Sequence, residues 1–340
     1  MIDIGQFTTE LTTILLLCFM GFSLAMLITP LYTKYAYKYG WWKKKRTTSV
    51  TGEKLEVISK LSTRKRRVPT MAGIIIVLAV AIVTVIFNLS REQTWLPVAA
   101  LVGGAIVGLL DDMINVRGSG LGVAGLRAPV KFGLISLVAG IGAWFFYFKL
   151  GYTSIHLPIV GEFELGLMLI PLFILAVVST ANAVNISDGL DGLAGGLLLS
   201  SYTTFGIIAF LQGNYGISGF CFTITGALLT YIWFNIPPAR FFMGDVGSFA
   251  MGTSLGVVAM MTDTLFLLPI IGVVFVAEAG STLLQIFSKK LFGKRIFIAA
   301  PLHHHLEASG WEKTKVTMRF WIIGIIFSLI GLLVAITGGY

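Results

Sequence analysis

Asp111 and Asp112 stand side by side at the end of the apolar run GGAIVGLL. Adjacent carboxylates at the edge of a lipid-soluble stretch are costly unless water, a cation or a hydrogen-bond donor compensates them. Two hard oxygen donors suit Mg²⁺ and phosphate chemistry, and one of them can take a proton from a nucleophile. The plain alternative is a solvated helix end. A second group, Asn182-Ala-Val-Asn-Ile-Ser-Asp-Gly-Leu-Asp-Gly-Leu-Ala-Gly-Gly196, sets Asn185, Asp188 and Asp191 among Gly189, Gly192, Gly195 and Gly196. Asp188 and Asp191 share a face if a helix has begun there. Glycine permits close backbone approach, and a helix N-terminus offers free N–H groups to a phosphate. A simple cap needs one polar residue; this segment supplies several, so it points to binding. In NIPPARFFMGDVGS (235–248), Pro237 and Pro238 stop one helix and Asp245 opens the next, as a site acid or as an N-cap. Phe242 is suited to stacking on a flat base or to anchoring at a membrane interface.

Three of the four histidines, His303, His304 and His305, are consecutive in PLHHHLE. Consecutive side chains point in different directions and have no cysteine partners here, so zinc fits poorly. Imidazoles contacting phosphate or sugar fit the neighbouring Lys and Arg better. Lys65 precedes Pro69-Thr-Met-Ala-Gly73. Lys131 stands inside an otherwise apolar helix start, where a lysine ordinarily snorkels toward water.

The elements that must position these residues are membrane helices. The 340 residues are 56% hydrophobic and 12% charged, against roughly 25% charged in soluble proteins, so lipid must cover part of the chain. Segments near 11–31, 71–89, 94–110, 130–149, 167–184, 193–212, 215–233, 246–261, 264–288 and 317–337 are apolar enough to predict an all-α integral membrane protein of about ten transmembrane helices. Residues 1–340 read as one polytopic domain, with no repeat. Residues 151–166 alternate as a small hairpin outside the bilayer; the lone His156 there receives no role. Cys18 and Cys221 lie in apolar runs and read as small buried hydrophobes. No basic region precedes the first apolar run, which predicts an anchor rather than a cleaved leader.

With ten spans, all but Arg91 and Lys149 of the 25 lysines and arginines fall on one side. That bias marks the cytoplasm and sends both termini outward. The net charge of +9 therefore reflects topology and anionic headgroups, not nucleic acid. Every acidic, histidine and glycine-rich motif falls on the basic side. A channel would string its acids through the bilayer. Acids gathered at one border suit a cytoplasmic cleft where a water-soluble and a lipid substrate meet, as in metal-assisted phosphoryl transfer.

On the motifs GLLDD (108–112), GLRAPVKF (125–132), NAVNISDGLDGLAGG (182–196), FNIPPARFFMGDVGS (234–248), PLHHHLEASGW (301–311) and RFWIIGI (319–325), the chain resembles the phospho-N-acetylmuramoyl-pentapeptide transferases, a branch of the polyprenyl-phosphate N-acetylhexosamine-1-phosphate transferases. The PLHHHLE form separates that branch from relatives using simpler nucleotide sugars. The resemblance implies ten helices, a cytoplasmic site in the bacterial inner membrane, and a homodimer. It implies Mg²⁺-dependent transfer of phospho-MurNAc-pentapeptide from UDP-MurNAc-pentapeptide to undecaprenyl phosphate, giving lipid I and UMP. It further implies Asp111 as base toward the lipid phosphate, with Asp112 its pair, and Asp245 as metal ligand or nucleophile. Asp111 and Asp112 join Asp245 as candidate metal ligands. Lys131 and His303 to His305 become catalytic-site residues. Asn185, Asp188, Gly189, Leu190, Asp191, Asn235, Phe242 and Lys65 bind substrate, with Phe242 stacking on uracil and Lys65 close to it. The chain departs from the family before the second span, where Ser62, Arg67, Val68 and Ala72 replace the usual His, Gly, Thr and Gly. Two rivals stand beside this reading. One is a UDP-N-acetylglucosamine-1-phosphate transferase, separable by substrate. The other is a cation transporter using Glu278 inside the ninth span.

Overall fold

Long apolar runs satisfy their backbone in lipid as helices, and the computed structural model, which describes residues 4–42, 68–118, 125–157 and 161–338, is built almost wholly of them. In chain order the helices are α1 (Ile4–Lys38), α2 (Gly73–Phe87), α3 (Trp95–Arg117), α4 (Ala128–Phe148), α5 (Leu169–Ser187), α6 (Leu193–Leu211), α7 (Tyr215–Asn235), α8 (Gly244–Met261), the short α9 (Leu268–Ile271), α10 (Val273–Phe292), α11 (Leu302–Ala308) and α12 (Lys313–Thr337). Strands β1 (Ser154–Leu157) and β2 (Gly161–Glu164) pair antiparallel with Ile155 opposite Phe163, as the alternation of 151–166 predicts.

Each predicted apolar segment falls on a helix. Among the described residues, seven helices are long and apolar enough to cross a membrane, or eight when the pair Leu265–Ile271 and Val273–Phe292 is taken as one span. That pair is bent by 82° at Gly272, where the sequence predicts one continuous run over 264–288. α2, at 15 residues, is apolar but shorter than these spans. α8 is central: every residue from Gly244 to Met261 is buried, and it packs on α3, α5 and α2. Its glycines, alanines and serines suit close helix approach, which membrane interiors reward, and a helix that meets only protein needs no lipid-like composition. Around it, α1 packs on α7, α7 on α6, and α6 on α12.

Two helices overrun their predicted limits. α1 extends well beyond 11–31 at both ends, because hydropathy marks only the lipid-facing part; near its start Thr9, Thr12 and Thr13 return their hydroxyls to carbonyls four residues back. α3 continues past 110 to Arg117, so Asp111 and Asp112 lie within a helix and not at its end. α8 spans about 27 Å at 1.5 Å per residue. Asp245 stands in its first turn. Past its other end, Asp263 Oδ1 accepts the N–H of His156 in β1 at 2.9 Å. The acidic motif and the hairpin are therefore separated by nearly the thickness of a hydrocarbon core.

Candidate active site

Three helices meet on one ammonium. Lys131 Nζ, from the first turn of α4, lies 2.7 Å from Asp111 Oδ2 and 3.0 Å from Asp245 Oδ2. Asp111 is fully buried, and the lysine side chain is only 15% exposed. The solvated-end reading of Asp111 and the snorkelling reading of Lys131 both give way to a buried bridge. Asp111 Oδ1 also accepts the Leu126 N–H at 2.5 Å, which uses the turn before α4 as a second clamp. Asp112, equally buried, accepts the Val246 N–H at 3.1 Å. It thereby supplies an anion to the free donors and positive dipole end of α8. Asp245 does not serve as the N-cap, a position held by Met243 with no side-chain cap bond. The close approach of α3 and α8 depends on Gly108: a β-carbon there would overlap the Asp245 carbonyl.

The 182–196 segment joins this centre from α5. Asn185 Nδ2 donates to Ser248 Oγ at 2.8 Å, and Ser248 lies one turn beyond Asp245. The following helix begins only at Leu193, after Gly192 in the left-handed region at φ +78°. Asp188 and Asp191 therefore sit in the turn before it and share no helical face. Asp188 ends α5. Asp191 Oδ2 accepts the Ala239 N–H at 3.1 Å. Asn235 braces the same turn: its Oδ1 accepts the Gly192 N–H and its Nδ2 donates to the Phe241 carbonyl, both at 2.8 Å. Leu190 is buried in the core beneath. A cavity of about 360 Å³ opens beside Asp191, lined also by Pro237, Pro238, Lys313 and Thr317.

Phe242 is partly exposed. Its N–H donates to the Pro69 carbonyl at 2.8 Å, and its own carbonyl accepts the Ala72 N–H at 2.9 Å. The approach to α2 thus runs along the approach to α8. Lys65, four residues before Pro69, lies outside the described residues.

The histidine triplet forms α11, and its members differ. His303 is buried, with Nδ1 2.7 Å from Glu278 Oε2 of α10. Its other edge reaches the 182–196 segment, since a β-carbon on Gly189 would strike His303 Nε2. His304 Nδ1 pairs with Glu307 Oε2 at 2.6 Å. Burial holds the His304 imidazole below its ordinary range. Burial pushes the Glu307 carboxyl up, but His304 and Lys313 outweigh it and leave the group lowered. His305 Nδ1 accepts the Ile298 N–H at 3.3 Å. The three are divided between the site and the scaffold.

Sequence reasoning singles out neither Ser248 nor the pair Thr317 and Trp321. Thr317 Oγ1 donates to the Asp191 carbonyl at 3.2 Å, and Trp321 Nε1 to the Gly192 carbonyl at 3.0 Å. All three belong to segments that carry motifs, but an apolar helix context gives them no signal of their own.

Among the described residues, no three His, Cys, Asp or Glu side chains form a ready metal cage. Asp111 and Asp245 converge on one cationic position. Such a pair fits Mg²⁺, which typically takes one or two carboxylates and completes its shell with substrate phosphates and water. Residues 94–263 match the family model described as glycosyl transferase family 4. Among similar proteins, the phospho-N-acetylmuramoyl-pentapeptide-transferase of Chloroflexus aurantiacus is 38% identical, over 88% of this chain and 86% of that one. Its namesake from Leptospira biflexa is 40% identical over 79% and 80%. The one from Geobacillus thermodenitrificans is 36% identical over 80% and 85%.

Proposed function

From the premise that this chain belongs to glycosyl transferase family 4 and, within it, to the phospho-N-acetylmuramoyl-pentapeptide transferases, we propose that it moves phospho-MurNAc-pentapeptide from UDP-MurNAc-pentapeptide onto undecaprenyl phosphate, yielding lipid I and UMP in peptidoglycan synthesis. The observation that carries this reading is the Asp111–Lys131–Asp245 bridge, which concentrates two acids and a cation at one end of a lipid-embedded bundle.

In this reading an oxygen of the lipid phosphate attacks the sugar-side phosphorus of the diphosphate. A new P–O bond forms, the P–O bond to UMP breaks, and UMP departs with the bonding electrons. Asp111, buried and held by Leu126, orients or deprotonates the attacking phosphate. Lys131 offsets charge on the oxygens around the reacting phosphorus. Asp245 and Asp111 would hold Mg²⁺, and Asp112 fixes the helix start that carries Asp245. Bound there, Mg²⁺ supplies charge neutralisation for the diphosphate. Asp188 and Asp191 with the backbone of Gly189 and Leu190 cradle the nucleotide-sugar, and Phe242 stacks on its base.

The finer topology belongs to the same proposal: ten membrane crossings, the site facing the cytoplasm, both termini and the β1–β2 hairpin outside, and a homodimer in the bacterial inner membrane. The separation of Asp245 from Asp263 along α8 supports opposite faces for site and hairpin. UMP release is the direct test. It is expected only when purified protein, UDP-MurNAc-pentapeptide, polyprenyl phosphate and Mg²⁺ are all present, and to stop on chelation. Equal turnover of UDP-N-acetylglucosamine would overturn the substrate assignment. Release that does not depend on Mg²⁺ would overturn the metal assignment.

A further inference from the structure

Glu278 is the only acid in α10, is fully buried, and has no part in the chemistry above. A lone carboxylate within an apolar span is expensive and calls for a compensating partner. Here both of its oxygens go to one residue. Oε2 lies 2.7 Å from His303 Nδ1, and Oε1 accepts the His303 backbone N–H at 3.1 Å. A carboxylate that accepts from a ring nitrogen keeps the proton on that nitrogen, so the grip sets both the orientation of the ring and its tautomer. The nitrogen left over, Nε2, is buried and has no hydrogen-bond partner among the described residues. It is aimed at Gly189, in the turn that carries Asp188 and Asp191. Buried nitrogens are nearly always partnered, and one left open beside a binding turn suits a ligand atom. His304 and His305 also engage Nδ1, with Glu307 and the Ile298 N–H, but both are partly exposed and leave no buried nitrogen open.

We propose that Glu278 is a positioning residue: it holds His303 with the proton on Nδ1 and presents the Nε2 lone pair as an acceptor to an O–H or N–H of the bound nucleotide-sugar. This rests on the transferase reading above, with His303 as the group that touches substrate and Glu278 acting only through it. A β-carbon at 189 would strike the ring, so the turn packs closely against its Nε2 edge. Carboxylate–imidazole pairs serve the same purpose beside metals and nucleophiles, where their loss leaves the site assembled but wrongly poised.

The test uses the full-length protein in nanodiscs. With ¹⁵N-labelled histidine, long-range ¹H–¹⁵N spectra, assigned by loss of the signal in His303→Ala, are expected to show His303 with its proton on Nδ1. In Glu278→Gln the side-chain amide can donate to Nδ1, and the proton is expected on Nε2. Glu278→Gln should lower kcat by roughly 10²-fold while KM for the nucleotide substrate stays within about threefold and the thermal midpoint stays close to that of the wild type. In a His303→Ala background the same substitution should cost nothing further, because non-additivity marks residues that act as one unit. Three results would overturn the proposal: a wild-type His303 protonated on Nε2, a Glu278→Gln protein with kcat within threefold, or an equal loss in both backgrounds. The tautomer is read on wild-type protein without substrate, so it decides the matter even if Glu278→Gln does not fold. A wild-type protein that releases no UMP would refute the transferase reading, with the tautomer still deciding the clamp.

Discussion

Replacing Lys131 with methionine keeps most of the side-chain volume and removes one charge. At 2.7 and 3.0 Å, with an effective dielectric of ~20, each of its two contacts carries about 6 kcal/mol of gross attraction. Desolvation offsets much of that; when one member of a buried pair is cut away, the measured loss is roughly 3–5 kcal/mol. Asp111 and Asp245 would then face each other with no cation between them unless Mg²⁺ binds. The expected phenotype is twofold. Without Mg²⁺, the thermal midpoint of Lys131→Met in detergent should fall well below that of the wild type, and saturating Mg²⁺ should recover part of the loss. Turnover should not recover, because a charge aimed at the reacting phosphate contributes about 10²–10³-fold, and the metal fills only the structural part of the role. Single-turnover UMP release, at Mg²⁺ concentrations that restore the midpoint, is the assay. A Lys131→Met protein releasing UMP within threefold of wild type would refute the claim that this ammonium faces the reacting group. Its contacts would then be those of a helix brace.

Asp245→Asn should cut UMP release by at least about 10²-fold with the protein still folded, as read by turnover and thermal midpoint together. Gly189→Ala puts a methyl group against a buried imidazole and should lower kcat severalfold or more; wild-type turnover would show that the ring can move aside. Asn235→Leu removes two buried hydrogen bonds and leaves a carbonyl and an N–H unpaired, at a cost of roughly 2–4 kcal/mol, visible as a lower thermal midpoint. Burial raises the Asp263 carboxyl to about 6, so between its unfolded value near 4 and 6 the folded chain binds the proton more tightly. Its contribution to stability is therefore greatest at low pH and declines as pH rises through that window, then levels off above it. Asp263→Asn should flatten that part of a midpoint-against-pH curve; an unchanged slope would refute the assignment.

The positions of the apolar segments were legible because lipid imposes a long hydrophobic signature that survives without any knowledge of packing. Their ends were less so. α3 runs on through Asp111 and Asp112 because those acids find partners inside the bundle, and hydropathy counts them only as charges. The break at Gly272 was hidden because both arms are apolar, so their sum reads as one long span. The site motifs were visible as unusual residue types in an apolar chain, and Asp111, Lys131 and Asp245 do meet. What the sequence withheld is the division of labour. Asn235 ties two loops together with both ends of its amide, His304 and His305 lean on the scaffold, and Ser248 and Thr317 enter through hydroxyls that look like ordinary helix serines and threonines. The placement of Asp188 and Asp191 was also obscure, since only the left-handed Gly192 shows that the helix starts after them.

Glycine spacing explains why charges can gather here at all. A carboxylate buried near lipid must have its partner within about 3 Å, and that partner comes from another helix. Two helices ordinarily pack with axes 8–10 Å apart; Gly108 lets α3 come near enough to α8 that its missing β-carbon faces the Asp245 carbonyl. At that distance the Asp112 carboxylate reaches the Val246 N–H, and a single lysine spans Asp111 and Asp245. A methyl group at 108 would push α3 and α8 apart, stretching the Asp112–Val246 contact and leaving Lys131 unable to hold Asp111 and Asp245 together. Gly108→Ala should therefore resemble a loss of Lys131 more than a loss of packing: turnover should collapse further than the thermal midpoint predicts, although no charged atom has been changed. If the variant instead lost stability and turnover in proportion, the bridge would tolerate the displacement, and the close approach would belong to the fold alone.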